Sequence, residues 1–435
     1  MKLRNLSIFE FDEYAKNHPL GNFYQTSTYA LVAGEEGYDY DLIGMIDDNN
    51  NIVAASVILS KRMGLFNRYG YAPKGFLIDY YNPTLIKEFT KLLKKRYYNK
   101  NFAFIKINPE IAIGTVDYKR KYVTYNKNQI IDSTLKGLNF RKLEGTYRFE
   151  TKFPRFNAIQ VLKNTNLKTI SKRTRNKIHR SIRNGLRIEK SDLEGIRILY
   201  EFIKNKKDKN INHYFNYYNA FRKSDSIDIL LVKINFEECL INLRNSLDKE
   251  QERNAKLVEK LMKEQSEDNL ARKLASDALI TTYKNSIVEA TKSLAVQRDK
   301  YIGGAITIKY KNRVSILISG FDQNYKMFCP NYFLHYMLIE EYKNDYDYLD
   351  LNGITGDFSK ENPYRGLDEF KLGFNPLTFE YIGEYDLIIN EGLYQSMEHS
   401  GQLSKEFKRK EKVSNNWYFF YSPYTSKRQL SCLLL

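Results

Sequence analysis

Two spacings of apolar residues alternate along the chain. Strand-like alternation covers Asp41–Ile46 and Ile52–Leu59, around a polar turn at 47–51, and Phe102–Asn108 before Pro109. Steps of three and four mark helices over Phe9–Asn17 and over Pro83–Tyr98, where Leu85, Phe89, Leu92 and Leu93 share a side. The loop Tyr71-Ala72-Pro73-Lys74-Gly75 leads into a further predicted strand, Leu77-Ile78-Asp79. A second series follows: a strand from Phe149 to Phe153, a helix over Leu193–Asn205 and a strand over Ile229–Ile234. Gly304–Tyr310 then pairs with Arg313–Ile318 across Lys311–Asn312, before a helix over Asn331–Tyr342 and a strand over Tyr348–Leu351. Hairpin, helix and strand thus recur in both halves, and two related sheet domains are expected.

Residues 235–301 interrupt this series and contain no Pro or Gly. Phe236, Leu240, Leu243, Leu247, Leu257 and Leu261 form one stripe, broken at Glu250 and Asn254. After a polar break at Gln265–Asn269, a second stripe runs through Ile280, Tyr283, Ile287, Ala290 and Leu294. Each stripe needs a partner, so two helices of a few turns should form an antiparallel coiled-coil hairpin projecting from a sheet edge. The element order gives an α/β (α+β) class with acetyltransferase-like sheets. The expected division is 1–148 for a first subdomain, completed by 380–435, then 149–234 with 302–379 for a second, and 235–301 for the arm.

A chain of 435 residues exceeds one simple core. Its net charge of +17 points to a polyanion partner, either nucleic acid or an anionic membrane face. Much of that charge lies in Lys168–Lys190, where nine basic residues less Glu189 give +8. As a helix this run spreads positive charge around most of its circumference, over a thin stripe of Ile170, Ile178 and Ile182. A solvated basic helix is one reading; a phosphate-binding surface is the other, since Arg binds phosphate bidentately. Cys239, Cys329 and Cys432 have no metal-ligand or disulfide spacing, which fits a reducing compartment. No apolar run approaches the ~20 residues of a spanning helix. Acidic residues occupy the first turns where a signal peptide would be apolar, so a cytosolic protein is expected. The five histidines are scattered and there is no P-loop, so neither a metal nor a bound nucleotide is expected. Lys300–Ala305 faintly echoes an acyl-CoA pyrophosphate loop but leads into a strand instead of following one.

The stretch Leu349–Asp386 organises the rest. A strand ends at Leu351 and breaks at Asn352–Gly353 and Gly356, residues that tolerate positive φ. A short helix carries Leu367, Phe370 and Lys371 in one region and ends at Gly373; a strand with Phe379, Tyr381 and Tyr385 on one face follows. Taken alone, this is an ordinary strand–loop–helix–strand connection. Yet Gly353, Phe370-Lys371, Gly373-Phe374 and Glu380-Tyr381-Ile382-Gly383-Glu384 are similar to the signature of the Fem family, the aminoacyltransferases that build peptidoglycan interpeptide bridges. The resemblance continues, in order and spacing, through Phe23–Thr26, Tyr71–Gly75, Asn108-Pro109-Glu110, Lys172–Gly185, the helical insertion and the loop from Tyr325 to Tyr332.

The resemblance implies two acetyltransferase-like (GNAT-type) subdomains with an inserted arm. It implies transfer of glycine, serine or alanine from aminoacyl-tRNA to the stem or bridge peptide of a peptidoglycan precursor, commonly lipid II, without a cofactor. By the same carry-over Lys371 is the catalytic candidate, against the alternative of an exposed helix lysine. Tyr71, Lys74, Asn108, Tyr325 and Phe370 are substrate-binding candidates. Lys172, Arg173, Arg175, Lys177, Arg180 and Arg183 are candidates for tRNA phosphates. A cytoplasmic protein transiently peripheral to the inner membrane face is implied, as a homodimer or a hetero-oligomer with related transferases. Three positions depart from the family: Asn108 stands for an Asp, Ala33 for a phosphate-pairing lysine, and His213 or Tyr214 for an arginine of that same phosphate site. Two other functions stay open: a non-catalytic tRNA- or RNA-binding protein, and an acyl-CoA-dependent N-acyltransferase.

Overall fold

A computed structural model describes residues 1–64, 67–117, 121–126, 128–143, 150–205 and 209–407. Trp417–Tyr421, Cys432 and the rest of the expected 408–435 segment lie outside the described residues. Among the described residues the strands form two sheets, of seven and nine strands. The first runs, in spatial order, Lys2–Asn5, Asp39–Ile46, Ile52–Met63, Asn67–Ala72, Phe102–Ile107, Tyr385–Ile388 and Phe140–Lys142. The second runs Arg187–Ser191, Ile227–Asn235, Asp299–Tyr310, Arg313–Phe321, Tyr348–Ile354, Phe156–Val161, Leu377–Tyr381, Ala112–Val116 and Tyr122–Tyr125.

Both sheets follow one plan. Four strands form an antiparallel meander, a helix crosses over, and a fifth strand returns parallel to the fourth. The crossover helices are Pro83–Tyr98 and Pro330–Tyr342. Pro83 occupies the first turn of its helix and the Asn82 side chain accepts from Leu85 N, so the sequence start signal is used as expected. This repeated mixed sheet is the acetyltransferase-like architecture.

Sheet membership crosses the expected break at 148. Ala112–Val116 and Tyr122–Tyr125 pair into the second sheet through Leu377–Tyr381, while Tyr385–Ile388 returns to the first. Phe379 and Tyr385 therefore do not share a strand; Gly383, at φ +93°, turns the chain from one sheet to the other. Of the strand expected at Phe149–Phe153, Phe149 lies outside the described residues and 150–153 form no strand; the strand here is Phe156–Val161, with five of its six residues buried. Such a strand carries no alternation for the eye to find. Leu77 makes a single bridge to Ala55, not a strand. Lys300–Ala305 lies inside the strand Asp299–Tyr310, so the acyl-CoA echo has no loop geometry.

The insertion forms two helices, Phe236–Lys263 and Glu267–Leu294, of 28 residues each. At the standard rise each is about 42 Å long, well beyond the few turns expected. Glu250 and Asn254 do not end the first helix, because Ser276 and Asp277 on the second satisfy them, at 2.6 and 2.9 Å. The strands that bracket the arm are interior to the sheet, with Arg187–Ser191 outside them. The arm thus leaves from strand ends and not from a sheet edge. No described helix is long and apolar enough to cross a membrane.

Candidate active site

The signature strand runs on through Asn352–Gly353 to Ile354, with an irregularity between Asp350 and Gly353 that absorbs the turn residues. The left-handed residue is Asn352, at φ 68°, and not a glycine. The short helix Arg365–Leu372 buries Asp368, Phe370 and Lys371. Lys371 is 8% exposed, and its Nζ donates to the Gly353 carbonyl at 2.7 Å, so the exposed-lysine alternative fails. Asp368 lies beneath it. Burial pushes its carboxyl up to about 6, although it accepts from the Thr355 backbone N–H at 3.0 Å and from Asn362 at 2.9 Å. Phe370 packs edge-on against His335 (4.7 Å) and Tyr332 (4.9 Å). Burial, with Lys371 nearby, pushes the His335 imidazole down to about 4.

The basic run forms the helix Lys172–Arg183, capped by Ser171, whose side chain accepts from Thr174 N. Its N–H end is bonded to the signature segment: Ser171 N donates to the Gly373 carbonyl at 3.0 Å. Gly373 caps the signature helix in a right-handed conformation, φ −61°. Its lack of a side chain serves a close approach instead of a positive φ. The six phosphate candidates do not act alike. Arg175 donates to the Leu167 carbonyl, Arg180 to Ser286 of the arm, and Lys177 to the Tyr332 hydroxyl at 2.8 Å while standing over that ring. Lys172, Arg173 and Arg183 face outward, Arg173 paired with Glu369 at 3.2 Å. Ile182, expected in the apolar stripe, is 45% exposed; Thr174 and Ser181 are buried beside Ile178 instead.

A second cluster centres on Lys74, at 4% exposure. Its N–H donates to Asn108 Oδ1 at 2.8 Å, and its ammonium pairs with Glu110 (3.3 Å) over the Phe153 ring (4.4 Å). Glu110 also accepts from Asn22 (3.0 Å) and from Arg313 (2.8 Å), which is a residue of the second sheet. Burial pushes the Glu110 carboxyl up, and the Arg313 and Lys74 cations more than reverse this, holding it at about 2. Cavities open on both sides of Lys74: one lined by Asn108, Glu150, Arg155 and Tyr381, the other by Asn22, Glu110, Asn157, Asp350 and Asn352. Tyr71 is buried beside Asn108.

The structure therefore brings Tyr71, Lys74 and Asn108 together, and separately brings Phe370, Lys371 and Lys177 together. Tyr325 joins neither group: it packs on Phe236 and accepts from Ser293 at the base of the arm. Ala33 is buried, and near His213 the side chain of Glu36 takes both Lys209 (2.9 Å) and His213. An acidic residue thus sits where two departures from the family were noted. Glu110, Arg313 and Asp350 were not among the sequence candidates, although Glu110 lay in the Asn108-Pro109-Glu110 motif and Asp350 in the stretch Leu349–Asp386.

The family model described as the FemAB family matches residues 6–400. The lipid II:glycine glycyltransferase of Staphylococcus aureus is 23% identical over 436 residues, covering 94% of this chain and 100% of that protein. The crystal structure of FemX superposes with a TM-score of 0.68 at 21% identity, covering 92% of this chain and 100% of that one. With its repeated sheets, its arm and its signature segment matched along nearly its whole length, this chain belongs to the FemAB family.

Proposed function

We propose that the protein transfers an amino acid from aminoacyl-tRNA to the stem or bridge peptide of a peptidoglycan precursor, lipid II foremost, in interpeptide-bridge synthesis. That it is an aminoacyltransferase rests on its family and on the glycyltransferase it resembles from end to end. The observation that carries the tRNA donor is the junction of Lys371 with the basic helix: a buried ammonium held by Gly353, in a segment hydrogen-bonded through Gly373 to the helix that presents Lys172, Arg173 and Arg183.

In this reading the outward cations bind phosphates of the tRNA and so bring its 3′ end to Lys371. The acceptor amine attacks the ester carbonyl; a C–N bond forms and the carbonyl oxygen gains negative charge. The ester C–O bond then breaks, and the ribose hydroxyl leaves with the proton the amine has lost. Lys371 stabilises the developing oxyanion, a role for which a fixed, desolvated cation is suited. Lys74, Asn108, Tyr71 and Phe370 contact substrate, and the basic surface holds the protein transiently to the anionic face that presents lipid II.

The test is transfer of labelled amino acids from a pool of charged tRNAs to purified lipid II. Label on lipid II, abolished by RNase and reduced about 100-fold in Lys371→Ala with tRNA binding retained, is expected. Intact tRNA binding with no transfer from any charged tRNA would leave the RNA-binding reading.

A further inference from the structure

The cavity behind Lys74 gathers hydrogen-bond acceptors. It sits where strands Arg313–Phe321 and Tyr348–Ile354 part, just past their last parallel pair, Ser315 with Asp350. Asp350 is buried; one carboxylate oxygen accepts from Asn352 N at 2.8 Å and the other faces Arg313 at 3.8 Å. Arg313 is itself committed more closely to Glu110, at 2.8 Å. Asn157, 4% exposed, lines the same cavity, and its Oδ1 has no hydrogen-bond partner among the described residues. Tyr24 and Phe153 meet edge to face at 4.8 Å in the wall, and the Phe153 ring already carries the Lys74 ammonium at 4.4 Å. A carboxylate oxygen and an unpartnered amide oxygen facing one cavity together call for a ligand that donates N–H and carries positive charge.

We propose that this cavity binds the primary ammonium of a reacting substrate, with Asp350 as counter-ion and Asn157 Oδ1 as second acceptor. The proposal rests on the aminoacyl-transfer reading above. Two substrates carry such a group: the aminoacyl ester, through its α-amine, and the acceptor peptide. The placement suits both. Gly353, whose carbonyl holds Lys371, follows Asn352 in the same strand and is the register partner of Asn157. Burial pushes the Asp350 carboxyl up, which an arriving ammonium would oppose.

The test is calorimetric titration of the full chain with three probes: Nα-acetyl-lysinamide, its Nε-acetylated form, and glycine methyl ester. One free amine is expected to bind at least about tenfold more tightly to the wild type than to Asp350→Asn, with the Nε-acetylated probe silent. Preference for Nα-acetyl-lysinamide assigns the cavity to the acceptor; preference for glycine methyl ester assigns it to the donor. Asn157→Leu, which keeps Asp350, should weaken the same probe and decides the matter should Asp350→Asn fail to fold. Binding unchanged in a folded variant, or no binding of either amine to the wild type, overturns the proposal. Kinetics keep the two readings apart. A wild type that transfers while both variants keep KM for each substrate within about twofold refutes the cavity alone. A wild type that never transfers refutes the aminoacyl-transfer reading, and the titration still judges the cavity.

Discussion

A Cβ built on Gly373 would lie 2.1 Å from Thr174 Oγ1, inside any real contact. The residue is therefore the point at which the basic helix presses on the signature helix. Gly373→Ala should cost about 2 kcal/mol by overpacking, read as a lowered denaturation midpoint, and Thr174→Ala should recover part of it. Recovery would tie the cost to this contact and not to the loss of a flexible residue. The sequence marks Gly373 as the helix end, which it is, but the reason differs: its φ is ordinary and its space is not. No reading of a lone glycine separates those two causes, because the clashing atom comes from a residue 199 positions away. Lys371 was legible through its motif; that it is buried against Gly353 was not, since the short helix alone leaves either face open to solvent.

At the scale of elements, helices with both a start signal and a periodic face were read closely, as at Pro83–Tyr98. The bounds 235–301 of the arm are legible, but the length of its helices is not: Glu250 and Asn254 break the stripe, and nothing in one helix shows that Ser276 and Asp277 face them. Replacing Glu250 and Ser276 together by Leu and Ala should stabilise the arm by about 1.4 kcal/mol, seen as roughly tenfold slower amide exchange in both helices. Faster exchange would mean that the polar pair is worth more than the apolar contact replacing it. Strand Phe156–Val161 failed to show for the opposite reason, because it is buried on both sides.

At the scale of the molecule, the Lys74–Glu110–Arg313 cluster fastens one sheet to the other. Its members are distant in sequence, and the sequence shows only that each is charged. Glu110 is buried, and its carboxyl is held at about 2 against an ordinary 4.5. A depressed acid stabilises the fold fully above its unfolded value and loses that contribution as the pH falls through the folded one. About 3 kcal/mol should therefore disappear between pH 4.5 and pH 2, and Glu110→Gln should flatten that limb of the acid-unfolding curve. An unchanged limb in the variant would remove Glu110 from the account.

The exchange of strands between the sheets also bears on how the protein is made. Tyr385–Ile388 fills the place between Phe102–Ile107 and Phe140–Lys142. A ribosome that has finished Phe140–Lys142 has still to deliver seven of the nine strands of the second sheet, and the arm, before that place is filled. At ordinary rates of translation this takes roughly tens of seconds. Throughout that time the nascent first sheet shows two unpaired strand edges to whatever else is emerging nearby, which makes chaperone shielding part of the cost of building this fold.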